Sequence, residues 1–416
     1  MPPPFSPFMS RIGFLLVALF LSKPLLVSGQ ESDRRRVIRT EAQWPAFDVA
    51  RQTKGIQIGL QGLGKIEADS AARAELATAL LNSMMEAGDM NAAGGWLKEE
   101  PSIKQSCTAW AKLALMAARK KDLQAWSRAQ TEAERLAPIS SQREGRAAWL
   151  LLYEGALITS SHKAQQYLEK VPSDDFESQS DLKGLRIRRI GEGLDIKMEE
   201  KDLNALLAPP PTQASLDLMA YALRLVEVLR GGACQKGNVP FSRVAGQAVK
   251  CALESAANPA PVLVSVLAEA GRFGEQGAMT DDWFKKATQF LEISNLDEEK
   301  PSYLLEMAKV AELRGDKDRQ KQFLGASEQS LLKLEPALQP EGFMRIGQTY
   351  ARQREWTQAW QSWDKLLDQL DHNPNRDLRF QMSCKIALEI DSWTGDMADL
   401  KASALAELEA RVGGAN

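Results

Sequence analysis

The chain has 416 residues, 44% of them hydrophobic and 26% charged, which is enough apolar material for a sizeable core and excludes a disordered polymer. A formal net charge of -3 excludes a general nucleic-acid binder, which needs a basic excess or a basic stripe. The length suits two or three ordinary domains, or one repeat array that grows by stacking.

Arg11 is followed by Ile12, Gly13, the apolar run Phe14 to Leu21 and then Val27-Ser28-Gly29. That layout describes a secretory signal peptide over residues 1–29, with cleavage expected after Gly29 and an exported product, periplasmic or extracellular. The run is short for a membrane span and is interrupted by Lys23 and Pro24, so stable insertion after cleavage is not expected. The alternative is an uncleaved anchor. Residues 30–70 are expected to hold an arm and a first helix. Arg34, Arg35, Arg36 and Arg39 have few apolar neighbours, which suits a solvated arm or a surface-binding one.

Gly59, Gly62, Gly64 and Lys65 have most of the spacing of a phosphate-binding loop, in which glycine N–H groups cradle phosphates. Ile66, however, stands where a Ser or Thr would hold magnesium, and no buried strand precedes the segment. Ile56, Leu60 and Leu63 share one helical face, so the expectation is a glycine-loosened helix.

A regular helical rhythm covers residues 71–208. Ala77, Leu80, Leu81 and Met84 form one apolar face, Gly88-Asp89 turns, and a second helix begins at Ala93. Trp110, Leu113, Ala114 and Ala117 repeat the pattern, Lys121-Asp122 turns, and Leu123, Trp126, Ala133 and Pro138 complete the unit. Ala148, Leu151 and Leu152 open another pair, closed by Ala164, Leu168, Val171 and Pro172. Pro209-Pro210-Pro211 cannot be helix interior and marks a linker or boundary. Residues 212–294 read as divergent pairs: Leu216 to Leu229 with Phe241 to Ala256, then Val262 to Ala270 with Trp283 to Ile293. The rhythm returns over 299–412, with Leu304, Met307, Ala308 and Ala311 before the turn Gly315-Asp316, and a last pair at Leu378 to Ile390 and Met397 to Val412. Strand-like alternation is missing, so the fold is expected to be all-α.

The sharpest unit runs from Pro340 to Pro374. Phe343, Ile346, Gly347 and Tyr350 lie on a first helix, Arg352 to Glu355 turn, and Ala359, Trp363, Leu366 and Leu367 lie on a second. This order of large and small residues resembles a tetratricopeptide repeat, and the unit at Trp110 closes at Pro138 near the family period of about 34 residues. The resemblance implies an α-solenoid of stacked antiparallel helix pairs, a superhelix with two free ends. It also implies a protein-interaction scaffold that binds a peptide or protein partner on the concave face of its first helices. Carried over by position, Glu341, Met344, Gln348, Ala351 and Arg352 with Lys309 look into that groove, and Arg345 borders it. Lys309, Arg345 and Arg352 then favour an acidic or carboxylate-bearing segment as ligand.

Other chemistry is sparse. With only two histidines, no HExxH, no CxxC and no calcium-type loop, neither a metal nor a cofactor is expected. The pairs Asp174-Asp175, Asp281-Asp282 and Glu298-Glu299 sit where helix starts need caps. Four cysteines in an exported chain invite a disulfide, and Cys234 and Cys251 flank one loop closely enough to be the candidate pair. The alternative function is a secreted all-α carbohydrate-active enzyme, a toroid of helix pairs carrying opposed carboxylates and aromatic sugar platforms. A ring has no free ends; a solenoid has two.

Overall fold

The computed structural model describes residues 44–172, 175–192, 200–212, 214–232, 234, 237–275, 277–293, 298–335, 338–394 and 397–414. The expected signal peptide, the arginine-rich arm and Asp174 lie outside them. The chain divides into two bodies, Met1–Pro45 and Ala46–Asn416, and the helices given below lie in the second.

The described residues are all-α, without a strand. The helices are α1 (Lys54–Leu63), α2 (Ala71–Glu86), α3 (Met90–Glu99), α4 (Cys107–Arg119), α5 (Leu123–Leu136), α6 (Gln142–Ile158) and α7 (Ala164–Leu168). Next come α8 (Phe176–Glu192), α9 (Glu200–Leu207), α10 (Ser215–Arg230), α11 (Phe241–Glu254), α12 (Ala260–Phe273) and α13 (Ala278–Ile293). The last are α14 (Lys300–Leu313), α15 (Lys317–Leu332), α16 (Gln339–Arg352), α17 (Trp356–Asp371), α18 (Arg376–Asp391) and α19 (Ala398–Gly414). None is long and apolar enough to cross a membrane.

Local chemistry sets the hairpins. At six turns the N–H of the residue after the turn reaches back five positions to a carbonyl of the preceding helix: Asp89 to Met84, Asp122 to Ala117, Ser161 to Ala156, Glu275 to Ala270, Asp316 to Ala311 and Glu355 to Tyr350, at 2.7 to 3.1 Å. This bond belongs to the Schellman cap, which needs a left-handed residue just before the donor. Gly88 (φ 85°) and Gly315 (φ 75°) supply that conformation at no steric cost, whereas Lys121 (φ 62°), Ser160 (φ 54°) and Arg354 (φ 61°) are held in it. Asp89, Asp122 and Asp316 then cap the next helix, accepting from the N–H of Ala92, Ala125 and Arg319. One turn both ends a helix and starts its antiparallel partner.

Pairing buries the apolar stripes. Even-numbered helices pack along one another into a wall, with only sparse backbone packing between α6 and α8, and each odd-numbered helix packs on a neighbouring even-numbered one. Within pairs, small residues allow close approach: a Cβ at Gly347 would collide with the Trp363 indole, whose Nε1 donates to the Met344 carbonyl at 3.2 Å. One continuous apolar core runs from Ile187 on α8 to Phe323 on α15.

The two free ends expected of the array are not found. The last pair packs on the first: α18 lies against α1 and α2, and α19 lies against α1. The glycines of α1 make this possible. A Cβ at Gly55 would come within 2.6 Å of Asp391 Cβ and one at Gly62 would overlap the Cys384 sulfur, both on α18, while one at Gly59 would meet Leu80 Cδ2 of α2 at 2.7 Å. Glu75 of α2 accepts from Lys385 at 2.9 Å and from Gln381 at 2.6 Å, both on α18. The glycine spacing that suggested a phosphate loop is therefore a helix seam. Gly59 and Gly62 are buried inside α1, and their backbone N–H groups belong to that helix rather than to an anion cradle.

Cys234 and Cys251 are separate buried thiols, so the expected bridge is not formed in this structure. Burial pushes the Cys234 thiol up to about 12 and raises that of Cys251, which accepts a hydrogen bond from Gln247 in its own helix.

Candidate binding groove

On its open face the even-helix wall carries polar and charged side chains that tie several of the helices to their neighbours. Arg119 of α4 meets Glu154 of α6 at 2.5 Å, and the other oxygen of Glu154 meets Arg188 of α8. Asp181 of α8 pairs with Arg224 of α10, and Arg230 of α10 donates to Ser265 of α12 at 2.9 Å. Glu299 and Glu306 of the α14 segment face Arg345 and Arg352 of α16 at 3.5 and 3.0 Å. Gln348 of α16 donates to Glu389 of α18 at 3.0 Å. The Lys385–Glu75 pair then carries the series across the seam to α2.

Three cavities open along this face. The first, about 750 Å³, lies between α6, α8 and α10 around Arg146, which is only 7% exposed and faces Glu177 at 2.7 Å, Asp181 at 3.5 Å and Asp175 at 3.6 Å. The second, about 260 Å³, is floored by Leu150, Leu151, Leu185 and Val228. The third, about 360 Å³, lies between α10, α12, α14 and α16, with Arg230, Tyr303, Glu306, Arg345, Gln348 and Arg352 among its walls. Asp181 and Arg224 line both the first and second cavities, and Glu227 lines both the second and third, so the three form one trough across successive helices.

Of the residues singled out from sequence, Arg345, Gln348 and Arg352 line the third cavity together. They stand at i, i+3 and i+7 of α16 and so share a stripe. Glu341 belongs to the same stripe and pairs with Arg345 at 3.3 Å. Lys309 turns away along α14 to Glu312 at 2.7 Å and Glu355 at 3.5 Å. Met344 does not face the groove: it is 4% exposed, because its position on α16 points between helices and not outward from the wall. Asp175 caps α8 by accepting the Ser178 N–H at 2.7 Å.

The cavity carboxylates Glu227, Glu299 and Glu306 were not anticipated, nor was the ion-pair series. Two buried acids of the wall had a sequence signal. Glu154 and Glu269 are single acids within apolar helical runs, and such a residue, once buried, needs a cation. Glu154 is 1% exposed and has two; Glu269 is 5% exposed and meets Arg272 at 2.8 Å.

Electrostatically the groove is balanced rather than basic, since each cavity sets arginines against carboxylates. Two acids are held above the ordinary range. Burial raises Asp181, against the pull of Arg224 and Arg146. Burial also raises Glu389, with the charge of Glu86 adding to it and the Gln348 bond and Arg352 opposing it. Among the described residues no cluster of His, Cys, Asp or Glu is arranged to hold a metal ion. The tryptophans that would serve as sugar platforms are largely internal, with Trp110, Trp126, Trp149, Trp283, Trp363 and Trp393 all buried.

No protein-family model matches this chain, and neither a curated protein nor a solved structure matches it.

Proposed function

We propose that the chain is an exported, non-enzymatic interaction scaffold of tetratricopeptide-like helix pairs, which binds a peptide or protein segment in the trough of the even-helix wall. One observation carries this reading. The open face of the wall is a continuous trough in which Arg345, Gln348 and Arg352 stand together beside an open cavity of about 360 Å³. Arg345 and Arg352 are already opposed by Glu299 and Glu306, so a carboxylate of the partner exchanges with existing pairs instead of meeting bare cations. The cost of desolvation is then shared between old and new partners, which favours selectivity over raw affinity.

The test is peptide selection on the immobilised full chain, followed by titration of the recovered peptides. Replacing Arg345 and Arg352 together by Ala is expected to weaken binding by about 2 kcal/mol or more while helicity stays normal. Unchanged affinity would place the binding face elsewhere.

A second reading, the toroidal carbohydrate-active enzyme, is favoured by the packing of α18 and α19 on α1, which joins the ends as a ring requires. Glu389, raised by burial and neighbouring Glu86, is its acid candidate. Release of reducing sugar from a panel of polysaccharides, lost on Glu389→Gln, would support it over the scaffold.

A further inference from the structure

The junction between α6 and α8 differs from the others in the wall. The continuous apolar core begins at Ile187, on the α8 side of this junction. Across it the helices are joined by polar contacts: Arg146 with Glu177 at 2.7 Å, Glu154 with Arg188, and Arg189 donating to the Tyr153 hydroxyl at 2.9 Å. Long polar side chains bridge a wider gap than interdigitated leucines, and the gap remains as the cavity of about 260 Å³. Its floor is aliphatic, with Ala147, Leu150 and Leu151 from α6, Leu185 from α8 and Val228 from α10. An apolar cavity of about 150 Å³ already accommodates a benzene-sized group, so this one has room for an aliphatic side chain but not for a helix.

Charge specifies what accompanies that side chain. Six charged residues surround the floor. Glu154 and Arg188 answer each other, as do Asp181 and Arg224, and Glu227 meets Arg224 at 2.5 Å. Lys112 of α4 is the sixth; it is exposed and has no ion-pair partner among the described residues. From these two features we infer that the α6–α8 junction is a socket for one Leu- or Met-sized side chain of an extended polypeptide segment, whose neighbouring carboxylate pairs with Lys112. This deepens the scaffold reading and rests on it. The trough runs across the helices, and an extended chain at ~3.3 Å per residue passes one helix spacing of 8–10 Å in about three residues. An apolar residue in the socket and a carboxylate at the α4 neighbour are therefore about one to three positions apart. The aliphatic floor supplies the drive for binding and Lys112 supplies the choice of neighbour.

The experiment uses the full chain in three forms, wild type, Lys112→Glu and Ala147→Phe, each selecting from a phage-displayed library of random 16-residue peptides. Wild type is expected to enrich Leu, Ile or Met with Asp or Glu within three positions. Lys112→Glu is expected to change that neighbour to Lys or Arg, and Ala147→Phe, which fills the socket, to bind the wild-type peptides at least tenfold more weakly. Lys112 is exposed, so its variant keeps the test valid even where the bulkier substitution disturbs folding. Peptides enriched without an acidic neighbour, or bound equally by Lys112→Glu, overturn the socket while the groove reading stands. No enrichment by any form overturns both.

Discussion

Cys384 donates its thiol to the carbonyl of Ile58 at 3.6 Å, joining α18 to α1 from opposite ends of the helical body. The thiol is fully buried, and it sits over the bare face of Gly62 in α1. Gly62→Ala is therefore expected to destabilise by about 1–3 kcal/mol through overpacking, even though alanine is the better helix former. Cys384→Ala, by removing the sulfur, should restore part of that loss in the double variant. Urea unfolding of the four forms measures the coupling between the two sites.

The buried carboxylate Glu154 holds three helices together through Arg119 and Arg188. Glu154→Ala should cost about 3 kcal/mol, because both guanidinium groups lose their counter-charge. The value lies at the low end for a broken buried pair, since both arginines keep partial access to water. A shift in the urea midpoint at constant slope checks it.

Arg354 occupies the left-handed cap between α16 and α17 at φ 61°, a position that Gly315 fills in the preceding pair. Arg354→Gly should stabilise by about 0.5–1 kcal/mol, the relief of backbone strain exceeding the entropy that glycine loses on folding. Thermal unfolding by circular dichroism would show a higher midpoint.

Glu389 titrates above the ordinary glutamate value of about 4.3, chiefly because partial burial penalises its charge and secondarily because the charge of Glu86 adds to it. From that ordinary value up to the raised one, the native state holds a proton that the unfolded chain has released. Stability contributed by this group therefore falls as pH rises through the window. Glu389→Gln removes the slope, leaving stability near wild type below the window and above it at neutral pH. Unfolding free energies from pH 4 to 8 on both forms test the sign.

Helix hairpins were legible in sequence because their chemistry is local. Gly88-Asp89, Lys121-Asp122 and Gly315-Asp316 each combine a left-handed position with an N-cap, and they are found as such turns. The stripe of Arg345, Gln348 and Arg352 was legible too, since i, i+3 and i+7 share a helical face whatever surrounds them. Met344 was misplaced because it lies about 100° around the helix from Arg345, near the boundary between exposed and packed sides, where only the neighbouring helix decides. The seam was illegible for a different reason. Gly55 and Gly62 become meaningful only beside Asp391 and Cys384, and periodicity carries no information about so distant a partner. Each inter-helix pair likewise takes its two halves from different helices, so that no short window of sequence contains both.

The joined ends also set an order of events during synthesis. α1 emerges from the ribosome before the rest of the helical body, yet the surface that covers its glycine face belongs to α18 and α19, among the last helices made. While the intervening pairs fold one upon another, α1 waits with that face exposed, held only by α2. A ribosome stalled anywhere before α18 would thus carry a nearly complete wall with an uncovered first helix, the segment most open to chaperones and proteases. Only the final hairpin converts the chain from a growing stack into a finished body.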